Sequence, residues 1–94
     1  MGAGKSTLGQ ALATRLGRPF VDVDREIERQ EPIARIFATG GEAAFRVREC
    51  RYALDALRTG PPAVVALGGG AVATEQIRTA LRERALTLLV EIDA

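Results

Sequence analysis

Gly2-Ala3-Gly4-Lys5-Ser6-Thr7 gathers flexible backbone, one ammonium and two hydroxyls within a few residues. That combination suits the holding of phosphate. In the pattern G-x-x-x-x-G-K-[ST], glycines let backbone N–H groups wrap phosphate oxygens, the lysine reaches the outer phosphates and the hydroxyl residue holds Mg²⁺. Gly4, Lys5 and Ser6 match its second half, while the position of its first glycine falls before Met1. Lys5 is the single lysine beside twelve arginines, so a compact ammonium stands where phosphate would use one.

Carboxylates follow. Phe20-Val21-Asp22-Val23-Asp24 alternates apolar and acidic residues, which predicts a short strand whose two aspartates share one face and look into a cleft at its carboxyl end. A solvated edge is the plainer alternative. Mg²⁺ beside a nucleotide takes one or two carboxylates plus Ser/Thr and phosphate oxygens, so Ser6 and Asp22 are the candidate metal side. Asp24, one step further out, is placed to accept a hydrogen bond from a substrate hydroxyl. Arg46, near the start of a helical stretch, offers a bidentate partner for a substrate carboxylate, or else is one more solvated helix charge. Gly68-Gly69-Gly70 after an apolar run either lets backbone touch a ligand or forms a plain turn. Gly68, Gly70 and Ala73, with Glu91 or Asp93 downstream, also satisfy a dinucleotide-binding pattern. That reading ranks lower, because the next helix is expected to begin at Thr74, beyond the motif, where its positive end misses a pyrophosphate held by the glycines.

The elements that must carry these groups alternate. Leu8, Ala11, Leu12 and Leu16 recur at helical spacing, and Gly17 stops that helix. A strand over 20–24 leads to a helix over 25–30, interrupted at Pro32. A short helix through Ile33, Ile36 and Phe37 ends at Gly40-Gly41, and a long amphipathic helix runs from Glu42 to about Arg58, with Val47, Cys50, Leu54 and Leu57 as its apolar row. Ala63–Leu67 reads as a strand buried on both faces, Thr74 as the cap of a helix carried by Ile77, Ala80 and Leu81, and Leu86–Ile92 as a final strand. Alternating helices and strands argue a layered parallel α/β sheet in one domain over residues 1–94.

Composition narrows the chemistry. Net charge of +1 from 13 basic and 12 acidic residues, with four aromatics and no tryptophan, leaves neither the electrostatic footprint nor the stacking platform of a nucleic-acid binder. No apolar run is long enough to span a membrane and no signal-peptide pattern is present, which points to the cytoplasm. With no histidine and one cysteine, Ser-His and Cys-His nucleophiles and Cys/His zinc clusters are excluded. Cys50 reads as a core residue.

Taken in order, MGAGKSTLGQALA, PFVDVDREIE, IARIFATGGEAAFR and ALGGGAV resemble the N-terminal half of the shikimate kinase family. The resemblance implies a three-layer α/β/α P-loop kinase fold of the nucleoside-monophosphate-kinase type, and transfer of the γ-phosphate of ATP to the 3-hydroxyl of shikimate in aromatic amino-acid biosynthesis. It also implies an ATP site at Gly2, Ala3, Gly4, Lys5, Ser6 and Thr7, Mg²⁺ on Ser6 and Asp22, and Lys5 and Asp24 as catalytic groups. Arg46 would pair with the shikimate carboxylate, Asp24 and the amides of Gly68, Gly69 and Gly70 would bind the ring, and Phe37 and Phe45 would wall the pocket. Where the family usually shows a T-G-x-S turn, Arg29-Gln30-Glu31-Pro32 is shorter.

The family's first strand and its C-terminal lid region have no counterpart here. In its 2-3-1-4-5 strand order that first strand would separate Ala63–Leu67 from Leu86–Ile92. A non-catalytic metabolite-binding module, a gluconate-type kinase and a nicotinamide-binding domain are the alternative readings. The intact protein is expected to be a monomer. The isolated chain, lacking the sheet's centre, is expected to fold poorly or self-associate and to lack turnover, because unpaired strand groups and uncovered apolar surface rival a domain's whole stability of about 5–15 kcal/mol. Thermal denaturation with sedimentation checks this, and a cooperative melt of a monomer with steady shikimate-dependent ADP release would contradict it.

Overall fold

Two strands distant in sequence lie side by side. In the computed structural model Phe20–Asp22 (β1) and Val64–Ala66 (β2) pair in parallel, Phe20 beside Val64, Val21 beside Val65 and Asp22 beside Ala66. Residues 2–58 and 61–85 are described, with side chains from Ser6 onward. The strand expected at Leu86–Ile92, the acids Glu91 and Asp93 and the side chain of Lys5 lie outside the described residues.

Side chains alternate across a strand, and the neighbours of these show the layering. Phe20 meets helix α1 (Gly2–Leu16) at Gly9 and Asp22 meets it at Ser6, whereas Val65 packs against the main apolar cluster. That cluster is built from α2 (Val23–Gln30), α3 (Ile33–Arg58) and α4 (Glu75–Arg84), with a 3₁₀ turn at Gly69–Ala73. The sheet therefore separates α1 from the other helices, which is the expected three-layer order.

The helix boundaries have local causes. α1 begins at Gly2, so the glycines of the phosphate-type motif form its first turn and do not precede it as a loop. The first N–H groups of a helix have no intrahelical partner, so this end still offers backbone donors. At the other end Gly17 has φ 65°. Its N–H donates to Thr14 O and that of Arg18 to Ala13 O, at 3.2 and 2.9 Å, which satisfies the last carbonyls through a left-handed glycine.

β1 is shorter than expected and ends at Asp22. The Asp22 carboxylate accepts the Arg25 N–H at 3.3 Å as the N-cap of α2, and that cap starts the helix at Val23 instead of Arg25. Asp22 and Asp24 are thus not on one strand face. Asp22 closes the strand and Asp24 sits in the first turn of the helix.

α3 joins the two helices expected on either side of Gly40-Gly41. It continues through a kink at Gly41, whose φ 69° and ψ −168° lie in a region open only to glycine. The short connection before it is held by side chains: the Ile33 N–H donates to Glu28 Oε1 at 3.2 Å, and Arg48 pairs with Glu31 at 3.1 Å.

The core differs in register from the sequence pattern. On α1, Ala13 is fully buried while Leu8 and Leu16 are half exposed; on α3, Val47 is 69% exposed while Phe45, Glu49 and Ala53 are buried. Cys50 is only partly buried against the cluster. Large apolar side chains at helical spacing mark an amphipathic face, but β1 and Gly9 set how closely α1 approaches, and small residues occupy the contact. Val64 and Val65 are half buried and Ala66 is buried, so β2 is less enclosed than a strand covered on both faces. Thr74 precedes α4 but its side chain makes no capping bond.

Gly41→Ala is expected to cost about 1–3 kcal/mol, since an L side chain is strained at that backbone conformation. Urea denaturation of the variant checks it, and an unchanged midpoint would show that the kink does not depend on glycine.

Candidate active site

The carboxyl ends of β1 and β2 lie together, because Asp22 and Ala66 are partners in the ladder. Clefts at such ends are where open parallel sheets bind ligands. Three segments reach this edge: the start of α1, the first turn of α2, and the glycine run after β2.

On one side, Ser6 Oγ donates to Asp22 Oδ2 at 2.7 Å. Asp22 Oδ1 is taken by the α2 cap, so both oxygens are engaged and the carboxylate is fixed. A hydroxyl and a carboxylate in contact are hard oxygen donors, and Mg²⁺ bound with phosphates needs no more from a protein. The donor set fits that ion. Among the described residues there is no group of three or more His, Cys, Asp and Glu that could hold a metal, so a site supplied wholly by these side chains is not formed.

On the other side stands a different constellation. Asp24 Oδ1 and Glu49 Oε2 are buried without a hydrogen-bond partner. Both carboxylates border Gly68: a Cβ placed there would lie 3.4 Å from Asp24 Oδ2 and 3.5 Å from Glu49 Oε2. Buried polar atoms are nearly always satisfied, and orphans of this kind mark a ligand's place or a strain reservoir. Here two such oxygens turn toward a glycine with no side chain.

Arg46 completes the group. Its Nη1 donates to Glu49 Oε1 at 2.8 Å and its Nη2 to Glu42 Oε2 at 3.1 Å. The hydrogen bond it donates to Glu49, then that to Glu42, raises the guanidinium above its ordinary value, so it stays charged. The Arg46 guanidinium occupies the space where a Cβ of Gly70 would stand. It also sits 5.3 Å from the centre of the Phe45 ring, within cation–π range.

Phe45 stacks on Phe37 with centroids 5.0 Å apart. Phe45 is buried and Phe37 is half exposed, so the pair makes an apolar wall beside the charged groups.

The structure thus brings together Asp24, Arg46, Phe37, Phe45, Gly68 and Gly70, and separately Ser6 and Asp22. Gly69 has open space around its Cα. Glu49 and Glu42 were missed in the sequence. Their signal is the helical spacing of four residues before and three after Arg46, but only burial shows that Glu49 is a site residue, and an acid in an apolar row otherwise reads as solvated. The rival dinucleotide motif has its glycines in a 3₁₀ turn, with α4 starting at Glu75. No helix end faces them from that side.

Comparison with known proteins gives the family. A family model described as shikimate kinase matches residues 1–94. The shikimate kinase of Nitrobacter winogradskyi is 50% identical over the whole chain, which covers 44% of that protein, and that of Psychrobacter cryohalolentis is 51% identical over 94% of the chain and 48% of its own length. Among solved structures, shikimate kinase from Acinetobacter baumannii in complex with shikimate superposes with a TM-score of 0.82 at 42% identity, over 92% of this chain and 49% of that one. Shikimate kinase from Bacteroides thetaiotaomicron gives 0.79 at 33% identity, over 90% and 49%. The chain spans about half the length of these relatives. With a family match over its full length, α-helical and parallel-strand elements that superpose on solved members, and an arginine, two carboxylates and a glycine run gathered at one sheet edge, the chain belongs to the shikimate kinase family.

Proposed function

We propose that this chain supplies the phosphate-binding end and the substrate pocket of an enzyme that transfers the γ-phosphate of ATP to the 3-hydroxyl of shikimate. The observation that carries the reading is the cluster around Gly68, where two unpartnered carboxylate oxygens and one guanidinium offer acceptors for hydroxyls and a partner for a carboxylate. Shikimate carries both kinds of group.

Each residue then has a task. Arg46 pairs with the substrate carboxylate and fixes the ring against Phe37 and Phe45. Asp24 accepts hydrogen bonds from ring hydroxyls and is placed to take the proton of the attacking one. The glycines at 68–70 let backbone amides approach the ligand. At the start of α1, free N–H groups and Lys5 hold phosphates of ATP, with Gly2, Ala3, Gly4 and Thr7 as the rest of that cradle. Mg²⁺, held by Ser6 and Asp22, would neutralise phosphate charge. Phosphoryl transfer asks little covalent chemistry of a protein, so positioning and charge carry the rate.

Asp22 and Asp24 lie two residues apart across the junction of β1 and α2, which sets the phosphate side directly against the substrate side. No helix among the described residues is long and apolar enough to cross a membrane, and ATP as co-substrate favours work in the cytoplasm.

These assignments are tested with the chain set between the flanking segments of the Nitrobacter winogradskyi relative, by calorimetric titration with shikimate, gluconate and NADH and by assay of turnover. Binding of shikimate alone is expected, and preference for gluconate or NADH would overturn the reading. Arg46→Ala should weaken shikimate binding by about 1.5–3 kcal/mol, the worth of a charge-assisted hydrogen bond, and Asp24→Asn should lower kcat by about 10²–10⁴-fold. Gly70→Ala should behave differently from a core change. The added methyl meets the Arg46 guanidinium, so shikimate affinity is expected to fall, and the denaturation midpoint to fall with it as far as the Arg46–Glu49 pair is disturbed. A lowered midpoint with unchanged affinity would show that Gly70 serves folding alone.

A further inference from the structure

The two carboxylates on Arg46 differ in kind. Glu49 is fully buried, with its side chain 1% exposed, whereas the Glu42 side chain is 69% exposed. Withdrawing Glu49 would strand a buried charge, but an exposed pair one helical turn apart contributes little and exchanges readily with water. Glu42 approaches from just beyond the Gly41 kink and binds Nη2, while Glu49 binds Nη1. The ligand-free guanidinium is therefore held by one permanent partner and one removable one.

We propose that Glu42 is a placeholder: it occupies the Nη2 side of Arg46 in the empty site and is displaced by the substrate's carboxylate, so that the guanidinium is not left half-paired and an anionic ligand binds against a competing carboxylate. The proposal rests on the reading of Arg46 as the carboxylate anchor. An incoming carboxylate replaces one ion pair with another, and the buried Glu49 keeps the guanidinium aimed during the exchange. An uncharged ring has nothing to offer Nη2 in return, and Glu42 stays.

The test compares the wild-type chain with Glu42→Gln, which keeps size and removes charge at an exposed position. Both are set between the flanking segments of the Nitrobacter winogradskyi relative, shikimate and its uncharged methyl ester are titrated into each, and KM and kcat are also read. Loss of the placeholder should tighten shikimate about two- to fivefold, the range spanned by an exposed ion pair. It should lower KM with kcat unchanged and leave the ester where it was. The gain should shrink as salt is raised. Equal or weaker shikimate binding by Glu42→Gln, when the wild type binds, would overturn the placeholder and make Glu42 an orienting residue, leaving the shikimate reading intact. Failure of both forms to bind shikimate would overturn that reading and this inference with it.

Discussion

Glu49 is the constraint around which the rest of the site is arranged. A carboxylate at zero exposure is costly unless paired, and removing its partner is more costly than never having buried it. Arg46 is that partner, and the pair lies on consecutive turns of one helix, so the backbone of α3 sets its geometry. Once Arg46 is held inward, its guanidinium needs room, and the room is the missing side chain of Gly70. The charge of one buried acid thereby links a long helix to the loop after β2.

That link also explains the uneven accounting of hydrogen bonds. Glu49 spends one oxygen on Arg46 and leaves the other bare, and Asp24 leaves one bare beside it. In a purely structural core such atoms would be selected against, because each unsatisfied buried acceptor carries a penalty of about 1–3 kcal/mol. In a binding site they are acceptors held ready for hydroxyls.

The phosphate side is organised by a different economy of groups. Asp22 ends a strand, caps a helix and accepts the Ser6 hydroxyl, so its carboxylate is fixed by three elements at once. Because α2 begins immediately after it, Asp24 is carried into the first turn of that helix, beside Gly68. A strand extending to Asp24 would have pointed both aspartates at the same place. The early cap separates their roles while keeping them adjacent.

Much of this was legible in the residues themselves. The glycine-lysine-serine run, the aspartate spacing, Arg46 and the three glycines are local chemistry, and short motifs of that kind keep their meaning wherever the chain folds. The helix stop at Gly17 and the break at Gly41, which the structure turns into a kink, were legible for the same reason, since positive φ favours glycine. What only tertiary structure decided is which side chains face inward. Leu8, Leu16 and Val47 carry the helical apolar period and yet face outward, while Ala13 and Glu49 are buried, because periodicity fixes a face but not the depth or rotation at which neighbours meet it. The boundary between β1 and α2 depended on one side-chain hydrogen bond from Asp22, and the partnership of Arg46 with Glu49 on the burial of α3 against the glycine turn. The partners of each hydrogen bond are only three residues apart, but the packing that buries Glu49 beside the glycine turn joins segments that no short window of sequence contains.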